Sequence, residues 1–289
     1  MTGFYRLQPM IHSFLRVLLG TLLVGVLGLS GGGGGAIASP LTAFEAPALE
    51  PSVEMLYEEA LNAKAEIDPY DYRTLHSPDG TGKFYMGREI ATYMSHTGAA
   101  WLERPSRDDE ESPTQLINAL NLKPTDTVAD LGAGTGYFSF RLSAQVPEGQ
   151  VLAVDIQPEM LEMLDFFKTA NQTDNIESIL GEATDPHLPV GQVDLALMVD
   201  AYHEFEYPCE MMTAIVAALK PGGRVALVEY RGEDWFLPIK RLHKMTEDQA
   251  KQEMQSVGLT WQETLELLPQ QHLMLFAKPL PSLPNLEGI

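Results

Sequence analysis

Cysteine is nearly absent from this chain, and Cys209 is the single one. An intrachain disulfide is therefore impossible, and a cysteine-based zinc site is excluded. A histidine zinc motif is missing too. His203-Glu204 begins as H-E-x-x-H would, but position 207 is tyrosine, so the spacing predicts no metal. Basic residues are scarce: 19 Lys and Arg stand against 40 Asp and Glu, a net charge of −21. So acidic a body repels phosphate, which argues against DNA, RNA or an anionic lipid surface as partner. An acidic, solvated surface that keeps the protein soluble accounts for the charge. No internal repeat is present. Hydrophobic residues make up 45% of the chain, ample for a core.

The first 38 residues differ from the rest. They hold Arg6 and Arg16 and no acid. Residues 17–29 are apolar, residues 31–35 are all glycine, and Ala36-Ile37-Ala38 has the form of a cleavage site. The pattern predicts a signal peptide over 1–38 and an exported body, in a periplasm or lumen. The apolar stretch 14–29 is short for a span of about 20 residues. An uncleaved anchor over 11–29 is the alternative, and would be the one membrane contact. A twin arginine is lacking. Residues 39–52 read as a linker, and 53–112 as an N-terminal helical segment, with helices over 53–67 and 88–103. Residues 68–87 read as turns, and 107–111 as a charged, solvated loop.

The chain is organised around residues 127–136, TVADLGAGTG. Apolar residues end a buried strand, Asp130 closes it, and Gly132, Gly134 and Gly136 make a tight turn. A helix follows, with Phe138, Leu142 and Val146 at spacing four. Strand, glycine turn and helix open a nucleotide-type α/β fold. In the dinucleotide pattern G-x-G-x-x-G the third glycine would stand at 137, where this chain has tyrosine. Asp130 would also repel a pyrophosphate and suits a cationic ligand. Strands then alternate with helices: 151–155 ending in Asp155, 176–180, 193–199 ending before Asp200, and 224–230. Lys220-Pro221-Gly222-Gly223 reads as the turn before the last of these. Thr246 and Gln249 read as a capping box. Residues 261–267 and 272–278 read as a hairpin, and 279–289 as a loose tail.

The pattern D-x-G-x-G-x-G at Asp130 to Gly136, with L-K-P-G-G at 219–223 and the closing hairpin, closely resembles the class I methyltransferases that use S-adenosylmethionine (SAM). The resemblance covers roughly residues 84–278. It implies a Rossmann-like α/β fold, a seven-stranded and mostly parallel sheet with helices on both faces and a C-terminal antiparallel hairpin, over a domain spanning 113–278. It implies SAM as cofactor, held by Asp130, Gly132, Gly134, Gly136, Asp155 with Ile156, Glu182 with Ala183, and Asp200. Asp155 would meet the ribose hydroxyls and Glu182 the adenine. The segment before the glycine turn would cover the cofactor and bring His96 and Trp101 to the substrate. His203, with Glu204 second, is the candidate base beyond the fourth strand, because its ordinary pKa lies near neutrality. The expected reaction is methyl transfer to a small-molecule acceptor that the sequence does not identify. A SAM-binding protein that no longer transfers methyl is the alternative, and an exported body sits awkwardly with a cofactor made in the cytosol. The oligomeric state is not legible.

Overall fold

A computed structural model describes residues 68–281. The signal or anchor, the linker and the helix expected over 53–67 lie outside the described residues, as do residues 282–289 of the tail.

The main sheet has seven strands: β4 (Thr127–Leu131), β5 (Gln150–Asp155), β6 (Ile176–Leu180), β7 (Val193–Val199), β8 (Leu219–Tyr230), β9 (Thr260–Leu265) and β10 (Gln271–Ala277). Their order is β6-β5-β4-β7-β8-β10-β9. Strands β4 to β8 are parallel, and β10 runs antiparallel between β8 and β9. The expected hairpin is therefore present, with its second strand inserted beside β8. From β4 the next strands are added on one side (β5, β6) and then on the other (β7, β8), so the strand order reverses there and the gap between β4 and β7 is the switch point where such sheets bind ligands.

The strands alternate between two cores. Ala196 and Met198 of β7, Val225 and Leu227 of β8 and Met274 and Phe276 of β10 face one side. There they pack with Met212 and Ile215 of α6 (Pro208–Ala218) and Met254 of α7 (Glu247–Ser256). Leu195, Leu197, Ala226, Val228, Leu273 and Leu275 face the other side. Their partners are Leu116 of α3 (Pro113–Ala119), Leu142 of α4 (Tyr137–Gln145) and Leu164 of α5 (Pro158–Asn171). Period two with apolar residues on both faces is what a doubly covered parallel sheet requires. The Thr246 hydroxyl caps α7 by accepting the Gln249 N–H at 3.3 Å. The Gln249 side chain does not complete the box; it donates to the Met86 carbonyl and to Glu253.

Four expectations are corrected by the structure. Residues 70–91 are not turns leading into a helix but a small antiparallel sheet, β1 (Tyr70–Tyr72), β2 (Gly80–Tyr85) and β3 (Arg88–Ala91). Its core is Tyr70, Tyr85 and Ile90; Gly82 lies within β2, and Met86-Gly87 is the hairpin connection from β2 to β3. Of the helix expected over 88–103, only α1 (Ala99–Leu102) and a preceding 3-10 turn form. The charged stretch at 107–111 is α2 (Arg107–Glu111), and its two end residues are buried. The proline–glycine turn at 220–223 is taken up within β8, where pairing with β7 shifts register between Val193 and Leu195.

A buried ion pair holds the small sheet to the C-terminal half. Arg88 donates from Nε and Nη2 to the two carboxylate oxygens of Glu253 at 2.7 and 2.8 Å, and from Nη1 to the carbonyl of His203 at 3.1 Å. Such bidentate pairing is the geometry in which a buried guanidinium is tolerated.

Candidate active site

A cavity of about 770 Å³ opens over the carboxyl ends of β4, β5 and β7, within the range of small-molecule sites. Its floor includes Asp130, Gly132, Asp155, Ile156 and Asp200. The cover comes from the segment before β4, through Met94, Trp101, Leu102, Arg104 and Arg107. The loop after β8, with Ile239 and His243, closes another side.

The glycine turn is built to hold its own backbone. The N–H groups of Gly132 and Ala133 donate to the Val154 carbonyl at 2.9 and 3.0 Å, and that of Gly136 to the Ala133 carbonyl at 2.9 Å. The N–H of Gly134 donates to Asp155 Oδ2 at 2.9 Å. Four donors that a phosphate would need are thus satisfied by the protein. Gly132 has φ +73° and Gly134 φ +56°, in the left-handed region open to glycine. A Cβ on Gly132 would stand 2.8 Å from the Ala201 side chain, and one on Gly134 2.8 Å from Leu102 of the cover.

Three strand-end carboxylates surround this turn. Asp130 Oδ2 accepts from the Ser139 hydroxyl at 2.6 Å. Burial pushes its pKa up to about 6, against the opposing pull of that hydrogen bond and of Arg107. Asp155 accepts the Gly134 N–H and, through Oδ1, the Gln157 N–H at 2.9 Å. Desolvation raises its pKa, and these backbone donors oppose the rise. Asp200 has φ +49°. Its Oδ2 accepts from Gln271 Nε2 at 2.7 Å, while its buried Oδ1 has no partner among the described residues. Burial first, then Glu111 and Glu229, lift its pKa well above the usual carboxylate range.

Beyond β7, a 3-10 turn (Tyr202–Glu204) turns His203 inward. The first candidate base, His203, is one member of a network that includes the second, Glu204. His203 Nδ1 lies 2.6 Å from Glu229 Oε2, and Nε2 lies 3.0 Å from His243 Nδ1. Burial lowers the His203 pKa, but Glu229, Glu204 and Asp200 outweigh it and the net shift is upward. Glu204 accepts the Met94 N–H through Oε2 at 3.1 Å, and its Oε1 lies 3.3 Å from His243 Nδ1.

The structure therefore brings Asp130, Gly132, Asp155, Ile156, Ala183, Asp200, His203, Glu204 and Trp101 to one cavity. Trp101 sits at its rim, half exposed, with the Arg104 guanidinium stacked 3.9 Å above the indole. Gly134 and Gly136 shape the turn from behind and do not line the cavity. The Glu182 side chain is exposed and lies near His187 Nε2, at 3.8 Å, outside the residues that line the cavity, whereas Ala183 lines it. His96 is also outside: its N–H donates to Gln157 Oε1 at 2.7 Å, and its ring lies 3.7 Å from Glu159 at the surface. Sequence reasoning missed Glu229, His243, Glu111 and Tyr230. Glu229 carried a signal, being an acid inside the apolar strand VALVEY, where a charge without a partner is costly. His243 carried none.

The donor set can be tested against SAM, which bears an ammonium and a sulfonium and no phosphate. Satisfied turn amides, three carboxylates and an orphaned acceptor on Asp200 fit such a cation and disfavour a dinucleotide.

Comparison with known proteins agrees. A family model described as "Methyltransferase domain" matches residues 122–272. An uncharacterized methyltransferase-like protein of Schizosaccharomyces pombe is 32% identical over 139 residues, 48% of this chain and 52% of that one. An arsenite methyltransferase of Halobacterium salinarum is 32% identical over 109 residues, 37% of this chain and 27% of that one. The chain spans about half, or less, of the length of the curated relatives it matches. Among solved structures, a SAM-dependent methyltransferase from Aquifex aeolicus superposes with a TM-score of 0.61 at 22% identity, covering 64% of this chain and all of that one, and so shares its fold. With the family model matching more than half of its residues, the chain belongs to the class I SAM-dependent methyltransferase family.

Proposed function

We propose that the protein transfers the methyl group of SAM to a small-molecule acceptor. The observation that carries this reading is the glycine turn, whose amides are satisfied internally beside Asp130, Asp155 and Asp200. When bound, SAM supplies a methyl group on a sulfonium, open to in-line displacement. Asp130 and Asp155 would hold the cationic and hydroxyl-bearing ends of the cofactor, and Ile156 offers apolar surface beside them. Thr92, Met94 and Leu102 of the cover keep water from the reacting atoms. The acceptor would lie toward His203, Glu204 and Tyr230, where polar side chains converge. Positioning of this kind can lower a barrier by about 7–11 kcal/mol. A lidded cavity and a net charge of −21 both favour a small acceptor over a nucleic acid.

Calorimetric titration with S-adenosylhomocysteine (SAH) and with NAD tests the cofactor assignment: SAH should bind and NAD should not. Transfer of labelled methyl from SAM to a small-molecule extract tests turnover. A second reading is a ligand-binding protein without turnover, favoured by the engagement of both His203 ring nitrogens. SAH binding with no transfer to any extract would support it. Export remains part of the proposal, and N-terminal sequencing from the native host should find a mature chain beginning near Ser39.

A further inference from the structure

Three atoms in the cavity wall form a small triangle. His203 Nε2 and His243 Nδ1 are 3.0 Å apart, His243 Nδ1 and Glu204 Oε1 3.3 Å, and His203 Nε2 and Glu204 Oε1 3.7 Å. Ligand atoms at about 2.0–2.1 Å from a tetrahedral zinc ion stand about 3.3–3.4 Å from one another. The triangle is one face of that tetrahedron. Its chemistry also matches: two imidazoles and one carboxylate are a ligand set found in open, three-ligand zinc sites.

The outer shell is in place as well. Glu229 is fully buried and engages His203 Nδ1, which leaves the Nε2 lone pair facing the triangle. Carboxylate–imidazole–metal relays have this arrangement. The second oxygen of Glu204 is fixed by the Met94 N–H, which turns Oε1 inward. Nearby cations do not compete for the spot, because Arg88 is paired with Glu253 and Arg107 with Glu111. All three ligand residues line the cofactor cavity.

We propose that His203 Nε2, His243 Nδ1 and Glu204 Oε1 hold a divalent zinc-like cation, with its fourth position open to the cavity. Resting on the methyl-transfer reading, the occupant of that fourth position is the acceptor, a thiol. Coordination would hold a thiol as its thiolate, its proton passing to solvent, and that sulfur would take the methyl as the sulfonium–methyl bond of SAM breaks to leave SAH. The absence of a sequence signal is explained by spacing: His203 and Glu204 are adjacent, whereas His243 arrives 40 residues later on another loop.

The test uses the full chain, stripped of metal with a chelator and titrated with Co(II), then with Zn(II). One equivalent of Co(II) should bind with the intense visible bands of a tetrahedral site, and Zn(II) should displace it. His243→Ala and Glu204→Gln should each weaken binding at least about 100-fold, and Glu229→Gln about 10–100-fold. X-ray absorption of the zinc-loaded wild type should count two imidazoles, a result that needs no variant to fold. Added 2-mercaptoethanol should shift the cobalt spectrum by entering the fourth position. Wild type that takes up no Co(II), or His243→Ala with undiminished affinity, overturns the site; an unmoved cobalt spectrum overturns the assignment of its fourth position to a thiol. SAH titration of the metal-free protein separates this from the proposed function: SAH binding without metal uptake sinks the metal site alone, and metal uptake without SAH binding sinks the methyl-transfer reading alone.

Discussion

Asp155 accepts the backbone N–H of Gly134 at 2.9 Å, so the acid that ends β5 also pins the turn that follows β4. Its other oxygen holds Gln157 at the entrance to α5. One carboxylate thus does two things: it fixes the floor of the cavity, and it keeps lone pairs for a ligand's hydroxyls.

Asp155→Ala should consequently lose both affinity and stability. Two backbone donors are left without their acceptor, at about 1–3 kcal/mol for each that stays unsatisfied. Urea unfolding and SAH calorimetry on the same sample should both register the change. Wild-type stability with weakened SAH binding would mean that water replaces the carboxylate at the turn.

Gly134→Val should weaken SAH binding by an indirect route. Its Cβ would collide with Leu102 Cδ1, and the residue would be forced to hold φ +56°. Backbone strain of this sort costs about 1–3 kcal/mol. The cover should loosen, seen as faster hydrogen exchange over 99–111 together with poorer binding. Exchange equal to wild type would show that Leu102 does not rest on the turn.

Asp130 gives a pH dependence. Its folded pKa is about 6 against an ordinary 3.8, because burial favours the protonated acid. The native state therefore binds a proton more tightly than the unfolded chain. That contribution is whole below the unfolded value and is lost as pH rises through about 6, a difference of up to about 3 kcal/mol. Asp130→Asn keeps an acceptor for Ser139 and carries no charge. Its melting temperature should exceed that of wild type near pH 7.5, with the gap closing toward pH 4, while SAH affinity at neutral pH should fall. A gap that does not change with pH would refute the raised pKa.

Arg88→Met should be strongly destabilising, by about 3–5 kcal/mol, since it abandons a buried Glu253 carboxylate. Pairing it with Glu253→Leu should restore much of the loss. Chemical denaturation of the two single variants and the double completes the cycle, and additive losses would deny the coupling.

How far the sequence could be read depended on whether its signals were local. The turn after Asp130 and the runs VLAVD and VDLALMV carry their structure in neighbouring residues, and those elements stand where their pattern indicates. The small sheet does not announce itself. The stretch GTGKFY has glycines that read as a break, yet Phe84 and Tyr85 are buried. In α2, RDDEE has the composition of a solvated face. Arg107 and Glu111 are nevertheless buried, because Arg107 stacks on Tyr137 at 4.0 Å and bonds Glu111 at 2.8 Å. His96 looked well placed by its distance before the glycine turn, but the chain turns it to the surface. The partnership of His203 with Glu229 and His243 is a tertiary fact, set by where β7 and β8 end.

The Arg88–Glu253 pair also bears on how the chain is made. Its members are 165 residues apart. On a ribosome adding roughly 5–20 residues each second, Arg88 emerges about 8–30 seconds before its partner exists. During that interval the small sheet has no carboxylate to receive its guanidinium, and the strand β10 that locks β8 has not been synthesised either. The small sheet is therefore the first described part to leave the tunnel and among the last to settle. Non-local closure of this kind makes for slow folding, and a nascent chain paused before residue 253 would carry a small sheet without its C-terminal anchor.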